Sequence, residues 1–292
     1  MYITLTENLS FKFRAMAACI HLMSTVQIVV GERSWMKFMK IFLETNRELE
    51  MFDICQYSYR HQINRVNKIL FVLLVTDVAC IFYHGEDLES SITNKLQDFY
   101  KITMIAYIIC VIVTIRMQQE SINCLTFHPT ALSLDFRTRC QNMRRFYMNL
   151  NRQIKYFNEV FGLHLLLMTL NGFLVLVLLT VIYSAKIELR LFYIIINSVG
   201  PLAIMYFCGS TYNDSRRILS ICHKLQQNIV LLEEEQKEIR KLLKQVSTIA
   251  PEITASGFFK MRKSTILSFF NISMTYIIVL SQFCNSNIKC NI

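Results

Sequence analysis

Long apolar runs without charge are the dominant pattern in this sequence of 292 residues. A bilayer core about 30 Å thick needs about 20 helical residues to cross it. Three charge-free runs reach that length, at 161–185, 191–213 and 264–288, and three shorter or interrupted runs lie at 15–30, 69–84 and 99–117. We therefore predict an all-α fold, a polytopic membrane helical bundle with six visible spans.

Amphipathic helices are predicted between the spans. Within 216–246, seven apolar side chains recur at steps of three, four and seven, which favours one helix that extends a span. They are Ile218, Ile221, Leu225, Ile229, Leu232, Ile239 and Leu243. A calmodulin target is the less favoured interpretation, because the segment also carries an acidic run. Residues 135–160 carry a similar stripe, so these helices should form a cytoplasmic bundle.

The distribution of lysine and arginine predicts which side of the membrane each connection faces. Seven lie in 31–68, seven in 116–160 and ten in 214–263, whereas 85–98 and the residues after the last span have one each. Cytoplasmic loops collect lysine and arginine, so the rich connections are expected in the cytosol. The C-terminus and 85–98 are then expected outside.

The N-terminus does not fit this alternation when six spans are counted. An even number of spans places both termini outside, yet Lys12 and Arg14 flank the first span on that side. We expect a further span upstream, which the first fourteen residues are too short to form. We also expect this chain to assemble less well than a relative that carries the extra helix.

Composition agrees with a membrane protein and narrows its chemistry. Hydrophobic residues make up 53% of the chain and charged residues 18%, below the quarter or so that is typical of soluble domains. The net charge of +10 follows from the cytosolic connections, so no nucleic-acid partner is expected. The sequence has no CxxC pair, zinc-type cluster, catalytic motif or phosphate-binding loop. We predict that it is not an enzyme and needs no cofactor or metal.

Candidate ligand contacts lie within the spans. Asp77 is an acid near the middle of a span, a position that costs roughly 2.5 to 3.5 kcal/mol on insertion scales. It should face protein or water, as a ligand contact in a cavity or as a bond to a neighbouring helix. Tyr83, Tyr107, Tyr193 and Asn197 are further pocket candidates, with ordinary packing or a place in the interfacial belt as the alternative.

The last span carries polar side chains on one side. Thr275 and Gln282 lie seven residues apart, about 700° of helical rotation, so they point in nearly the same direction. Tyr276 and Phe283 form the neighbouring stripe in the same way. Repeated around a symmetry axis, such a helix could line a narrow pore, and otherwise its polar groups could bond to another helix.

Residues 275–283, TYIIVLSQF, resemble the signature near the C-terminus of insect gustatory receptors, in which five apolar residues separate a TY pair from a QF pair. The preceding ITASGFFKMRKSTILSFF is similar to that family's approach to its last helix. Ser281 is a mild departure from the five apolar positions. Over 31–263 the resemblance rests on span order and loop lengths.

The resemblance implies a seven-helix chemoreceptor of the plasma membrane that opens a nonselective cation pore when a small-molecule tastant binds. It implies homo- or hetero-tetramers of related subunits around the last helix, a ligand pocket in the outer half of the other helices, and an intracellular anchor. On this mapping 1–213 holds the earlier spans with their cytoplasmic extensions, 214–263 the anchor, and 264–292 the pore helix and outer tail. Thr275, Tyr276, Gln282 and Phe283 would line the pore.

Three other interpretations stay open on the sequence. A G-protein-coupled receptor is disfavoured by the expected outer C-terminus and by the lack of DRY and NPxxY motifs. A secondary transporter should show repeated halves, and no convincing repeat is present. The third is an N-terminally incomplete receptor without channel activity of its own. In every case membrane lipid surrounds the spans.

Overall fold

The computed structural model describes residues 31–50, 68, 88–125, 136–182, 187–228, 233–249 and 251–289. Over these residues the fold is all-α, as the apolar runs predict. The helices are α1 (Glu32–Glu50), α2 (Leu88–Leu125), α3 (Phe136–Ile182), α4 (Ile187–Asn228), α5 (Glu233–Thr248) and α6 (Lys263–Lys289). A short antiparallel hairpin, β1 (Thr254–Ala255) and β2 (Phe259–Lys260), lies between α5 and α6.

Long helices run through four of the six predicted spans. Three stretches in the described part of the chain are long and apolar enough to cross a membrane, at Ile102–Asn123, Phe136–Val177 and Lys263–Gln282. Helix α4 passes through 191–213, where a crossing stays a prediction. The predicted spans at 15–30 and 69–84 lie outside the described residues.

Helix α3 is the centre of the bundle and contacts every other helix described. Its large side chains Phe157 and Phe161 are buried with Ile108 and Ile112 of α2 and Ile204 of α4. Nearer its start, Met143, Phe146 and Tyr147 join a second buried cluster. The apolar stripe predicted in 135–160 is therefore buried against neighbouring helices, because residues at helical spacing lie on one side of the helix.

The prediction of one continuous helix over 216–246 is wrong. Leu242 and Val246 of α5 lie in one buried cluster with Ile218 and Cys222 of α4. A straight helix would separate residues 218 and 242 by about 36 Å, at 1.5 Å per residue. Helix α5 therefore folds back onto α4, which lets both apolar stripes pack against each other and against α3.

The hairpin connects the folded-back α5 to the last helix through a tight turn. Ser256 and Gly257 both have positive φ, 51° and 79°, and Phe258 N–H donates to the carbonyl of Ala255 at 3.0 Å. Ala255 pairs with Phe259, so Ser256 and Gly257 form a tight turn within a three-residue loop, and glycine supplies one of the two left-handed residues without strain. Gly162 of α3 lets the turn approach closely, since a Cβ there would lie 3.0 Å from Ser256 N.

Candidate ion pathway and its anchor

Helix α6 contacts the rest of the described chain along a single narrow side. Phe269 and Ser273 are buried, and Ile266, Ile277 and Leu280 are partly buried, which is the spacing of one helical face. Only 11% of the apolar stretch of α6 is buried, against 56% for each of the other two apolar stretches. Most of this span therefore faces away from the other helices that the structure describes.

Aromatic contacts hold this narrow side against α3. The ring of Phe173 lies edge-on to Phe269 at 6.1 Å and to Tyr276 at 5.6 Å between centroids. Such edge-to-face pairs contribute about 0.5 to 1.5 kcal/mol each. They set the rotation of α6 about its own axis, and so decide which of its residues point outward.

The outward side of α6 carries a polar stripe. At 100° per residue, five polar positions lie within about 60° of one another and roughly opposite Ser273. All five are exposed: Ser264, Ser268, Asn271, Thr275 and Gln282. We call this set the polar stripe.

The hydroxyl and amide side chains of the polar stripe differ in whether they form hydrogen bonds within the described chain. Thr275 Oγ1 donates to the carbonyl of Asn271 at 2.9 Å, and Ser268 Oγ donates to that of Ser264 at 3.4 Å. The side-chain amides of Asn271 and Gln282 make no hydrogen bond with the described residues. An amide left unbonded in hydrocarbon costs several kcal/mol, so this face suits water or another chain rather than lipid.

The hairpin before α6 is fixed to α3 by polar contacts. Asn158 Nδ2 donates to the carbonyl of Glu252 at 2.9 Å, and its Oδ1 accepts from Thr254 N–H at 3.0 Å. The Glu252 carboxylate pairs with Lys260 at 2.7 Å and with Arg262. Burial raises the pKa of Glu252, but the hydrogen bonds from these two cations outweigh burial and leave the pKa below its usual value.

Buried and part-buried polar contacts also join the C-terminal halves of α2 and α4. Arg116 Nε lies 2.7 Å from Asp214 Oδ2, and Gln119 Nε2 donates to Ser215 Oγ at 3.0 Å. Glu238 of α5 pairs with Lys241 of the same helix at 2.6 Å and with Arg144 of α3 at 3.6 Å. The hydrogen bond from Lys241 is the main reason that the pKa of Glu238 is lowered. These contacts make the segments next to α6 a firm base for it.

The sequence matches the family of 7tm chemosensory receptors over residues 14–285. The chain belongs to this family. Its fold is similar to the solved structure of the insect olfactory receptor OR5 from Machilis hrabei, with a TM-score of 0.72, 12% identity, and coverage of 93% of this chain and 80% of that one. The structure of OR5 in complex with eugenol is similar with a TM-score of 0.61 and 13% identity, over 93% and 81% of the two chains. No curated protein matches the sequence.

The pore residues predicted for this chemosensory receptor fall on two sides of α6. Thr275 and Gln282 both belong to the polar stripe, while Tyr276 lies beside the attached side, against Phe173. The side chain of Phe283 lies outside the described part. The sequence reasoning missed Ser264, Ser268 and Asn271, although their spacing from Thr275 is helical and was available as a signal.

Of the five predicted ligand-pocket residues, the structure describes the side chain of Tyr107 alone. Tyr107 is 41% exposed and packs against Trp35 at 5.9 Å and Phe161 at 6.0 Å between ring centroids. Asp77 and Tyr83 lie outside the described residues, as do the side chains of Tyr193 and Asn197. A pocket built from these five residues therefore stays a prediction.

A polar groove of about 510 Å³ lies between α3 and the hairpin. Asn151, Lys155, Glu159 and Glu252 line it together with the turn at Ser256 and Gly257. It borders the hairpin, and Tyr107, the one predicted pocket residue whose side chain is described, does not line it. In the part of the chain that the structure describes, no cluster of three or more histidine, cysteine or acidic side chains suits a metal ion.

Proposed function

We propose that this 7tm chemosensory receptor is a gustatory subunit of a tastant-gated, nonselective cation channel in the plasma membrane of chemosensory neurons. The observation that carries the proposal is the polar stripe of α6, which points away from its own subunit. A single such helix cannot enclose a water path. Several copies around an axis would place their stripes on a shared aqueous pore.

The proposed assembly is a homo- or hetero-tetramer of related subunits, with α6 of each subunit around the pore. The low burial of α6 within its own subunit leaves most of its surface for neighbours and for lipid. The inner helices and the hairpin, tied together by buried polar contacts, would anchor the four subunits. Thr275 and Gln282 would face the pore, with Tyr276 and Phe283 at its side.

A small molecule is the proposed gating ligand. The similar receptor OR5 has been solved in complex with eugenol, which is a small organic compound. The TY and QF pairs of the last helix favour a tastant as the ligand class here. Asp77, Tyr83, Tyr107, Tyr193 and Asn197 are the proposed contacts.

Substitution of Gln282 tests the pore assignment. Gln282→Glu would place a ring of carboxylates in a cation pore, so we expect a change in the permeability ratio of divalent to monovalent cations on the order of twofold or more. Gln282→Ala should alter conductance or gating. Both are measured from tastant-evoked currents in cells that express the receptor with its partner subunits.

The matched control is Ser273→Ala, which removes a polar group from the opposite, buried side of the same helix. Among the described residues, the one acceptor of the Ser273 Oγ hydrogen bond is the carbonyl of Phe269, at 2.7 Å, so the loss of this hydroxyl should leave selectivity unchanged. The pore assignment fails if both Gln282 variants reach the cell surface and conduct as wild type does.

A further inference from the structure

Two cations without carboxylate partners lie where α4 passes the start of α6. Lys263 Nζ is 4.5 Å from the ring centroid of Tyr206, and the guanidinium of Arg216 is 5.3 Å from that of Tyr212. Within the described ranges, neither cation forms a salt bridge. We call Lys263, Arg216 and the two tyrosine rings the basic corner.

The acids nearest in sequence to the basic corner are already neutralised. Glu252 is paired with Lys260 and Arg262, and Asp214 is paired with Arg116. Arg262 also lies over the Tyr212 ring, at 4.2 Å from its centroid. Among the residues that the structure describes, the basic corner therefore keeps an uncompensated positive charge.

The side chain of Lys263 is directed along α4 toward the apolar part of the span. It passes over Gly209, where a Cβ would lie 2.7 Å from Lys263 Cγ, and its amine lies above Tyr206, about one helical turn farther into the span. Tyr206 is 51% exposed, so the amine lies on the outer surface of the bundle. An ammonium at the edge of an apolar layer attracts an anion to its side.

Apolar surface continues from the basic corner along both helices. Val199 lies seven residues before Tyr206 on the same side of α4, and Phe270 lies seven residues after Lys263 on α6, and both are exposed. The two helices run in opposite directions, so both apolar stripes lead from the cations toward the membrane interior. A cationic end followed by apolar stripes matches a lipid with an anionic headgroup.

We infer that the basic corner binds an anionic phospholipid, with its headgroup at Lys263 and Arg216 and an acyl chain along Tyr206, Val199 and Phe270. A soluble anion would leave the apolar stripes unused. On α6, Lys263 lies about 100° from the centre of the polar stripe, so the lipid site and the proposed pore face different directions. The inference does not depend on channel activity.

Lipid retention by the purified full-length receptor tests this inference. The receptor is reconstituted with phosphatidylcholine and phosphatidylserine at four to one, extracted, and its retained lipids are counted by native mass spectrometry. We expect phosphatidylserine to be enriched over its share of the bilayer. Lys263→Gln and Arg216→Gln should each lower its retention about fivefold, the effect of about one basic charge at a membrane surface.

Matched variants separate a specific site from general charge and from damage to the fold. Lys244→Gln removes an exposed charge of α5 away from the basic corner and should retain lipid as wild type does, while Lys263→Arg should preserve retention. Equal phosphatidylserine retention by wild type and the Lys263→Gln, Arg216→Gln double variant would overturn the inference. Displacement of the lipid by millimolar glycerophosphoserine would also overturn it, since the ligand would then be a soluble anion.

Discussion

At the scale of single residues, Glu252 has the clearest effect on the position of α6. Its carboxylate holds Lys260 and Arg262, while its carbonyl accepts from Asn158 of α3. One residue thus joins the hairpin, the start of α6 and the central helix. Hydrogen bonds to a charged group contribute about 1.5 to 3 kcal/mol when partly buried, which is large enough to measure.

Glu252→Gln should destabilise the receptor by about 2 kcal/mol at neutral pH, because two charge-assisted contacts are lost. The folded-state pKa of Glu252 lies below its ordinary value of 4.5, so its contribution is complete above that pH and is lost as the pH falls through the lower folded value. Thermal unfolding in detergent between pH 3 and 7 measures the difference between variant and wild type. Glu44→Gln, an exposed position of α1, is the control. A difference that stayed constant down to pH 3 would contradict this account of Glu252.

The polar residues of the last helix show how far sequence reasoning reaches at this scale. The seven-residue spacing of Thr275 and Gln282 placed both on one side, and the structure agrees because helical rotation follows from spacing alone. The sequence does not show which side of α6 its own subunit covers. That depends on the rings of Phe173 and Phe269, from helices far apart in the chain.

At the scale of secondary-structure elements, two helices meet at Gly209 with almost no space between them. A Cβ at Gly209 would lie 2.5 Å from the backbone nitrogen of Lys263, where only a shift of the backbone can relieve the clash. At Gly200 the nearest atom, also at 2.5 Å, is Cδ1 of Ile105, the free end of a side chain that can rotate. The two glycines of α4 therefore allow a matched comparison of alanine substitutions, one against a backbone atom and one against a movable side chain.

Gly209→Ala should destabilise the receptor by about 1 to 3 kcal/mol, because the start of α6 must move away from α4. Gly200→Ala should be nearly neutral, since alanine gains up to about 1 kcal/mol of helix propensity against a small rearrangement of Ile105. Thermal unfolding of the two purified variants under identical conditions compares them. Equal destabilisation by both, or none by Gly209→Ala, would show that the close approach of α4 and α6 is not tightly packed.

The sequence predicted most of the long helices, but it did not predict where α4 ends and α5 begins. Three charge-free apolar runs predicted the helices now seen as α3, α4 and α6, and an interrupted run predicted α2, because membrane thickness sets the length of an apolar helix. The fold-back of α5 was missed, since its apolar stripe continues that of α4 in helical register. The spacing of apolar residues indicates which side of a helix is buried. It does not show whether the chain breaks into two helices between those residues.

At the scale of the whole molecule, the directions of the helices agree with the alternation of charge. Two contacts between α4 and α2 show their relative direction. Gly200 lies against Ile105, and Asp214, farther along α4, pairs with Arg116, farther along α2. The two helices therefore run parallel. Parallel α2 and α4 are required if each crosses the membrane from the same side. Which side is the cytosol, and whether the chain lacks an upstream span, stay predictions.

The outward direction of the polar stripe is the central claim, and cysteine modification tests it most directly. Thr275→Cys places a thiol on the polar stripe, and Ser273→Cys places one on the buried side of the same turn. A small, charged, membrane-impermeant thiol reagent is applied from outside during tastant-evoked current. We predict that the reagent changes the current through Thr275→Cys receptors and leaves Ser273→Cys and wild-type receptors unaffected. Modification of Ser273→Cys with no effect on Thr275→Cys would contradict the account.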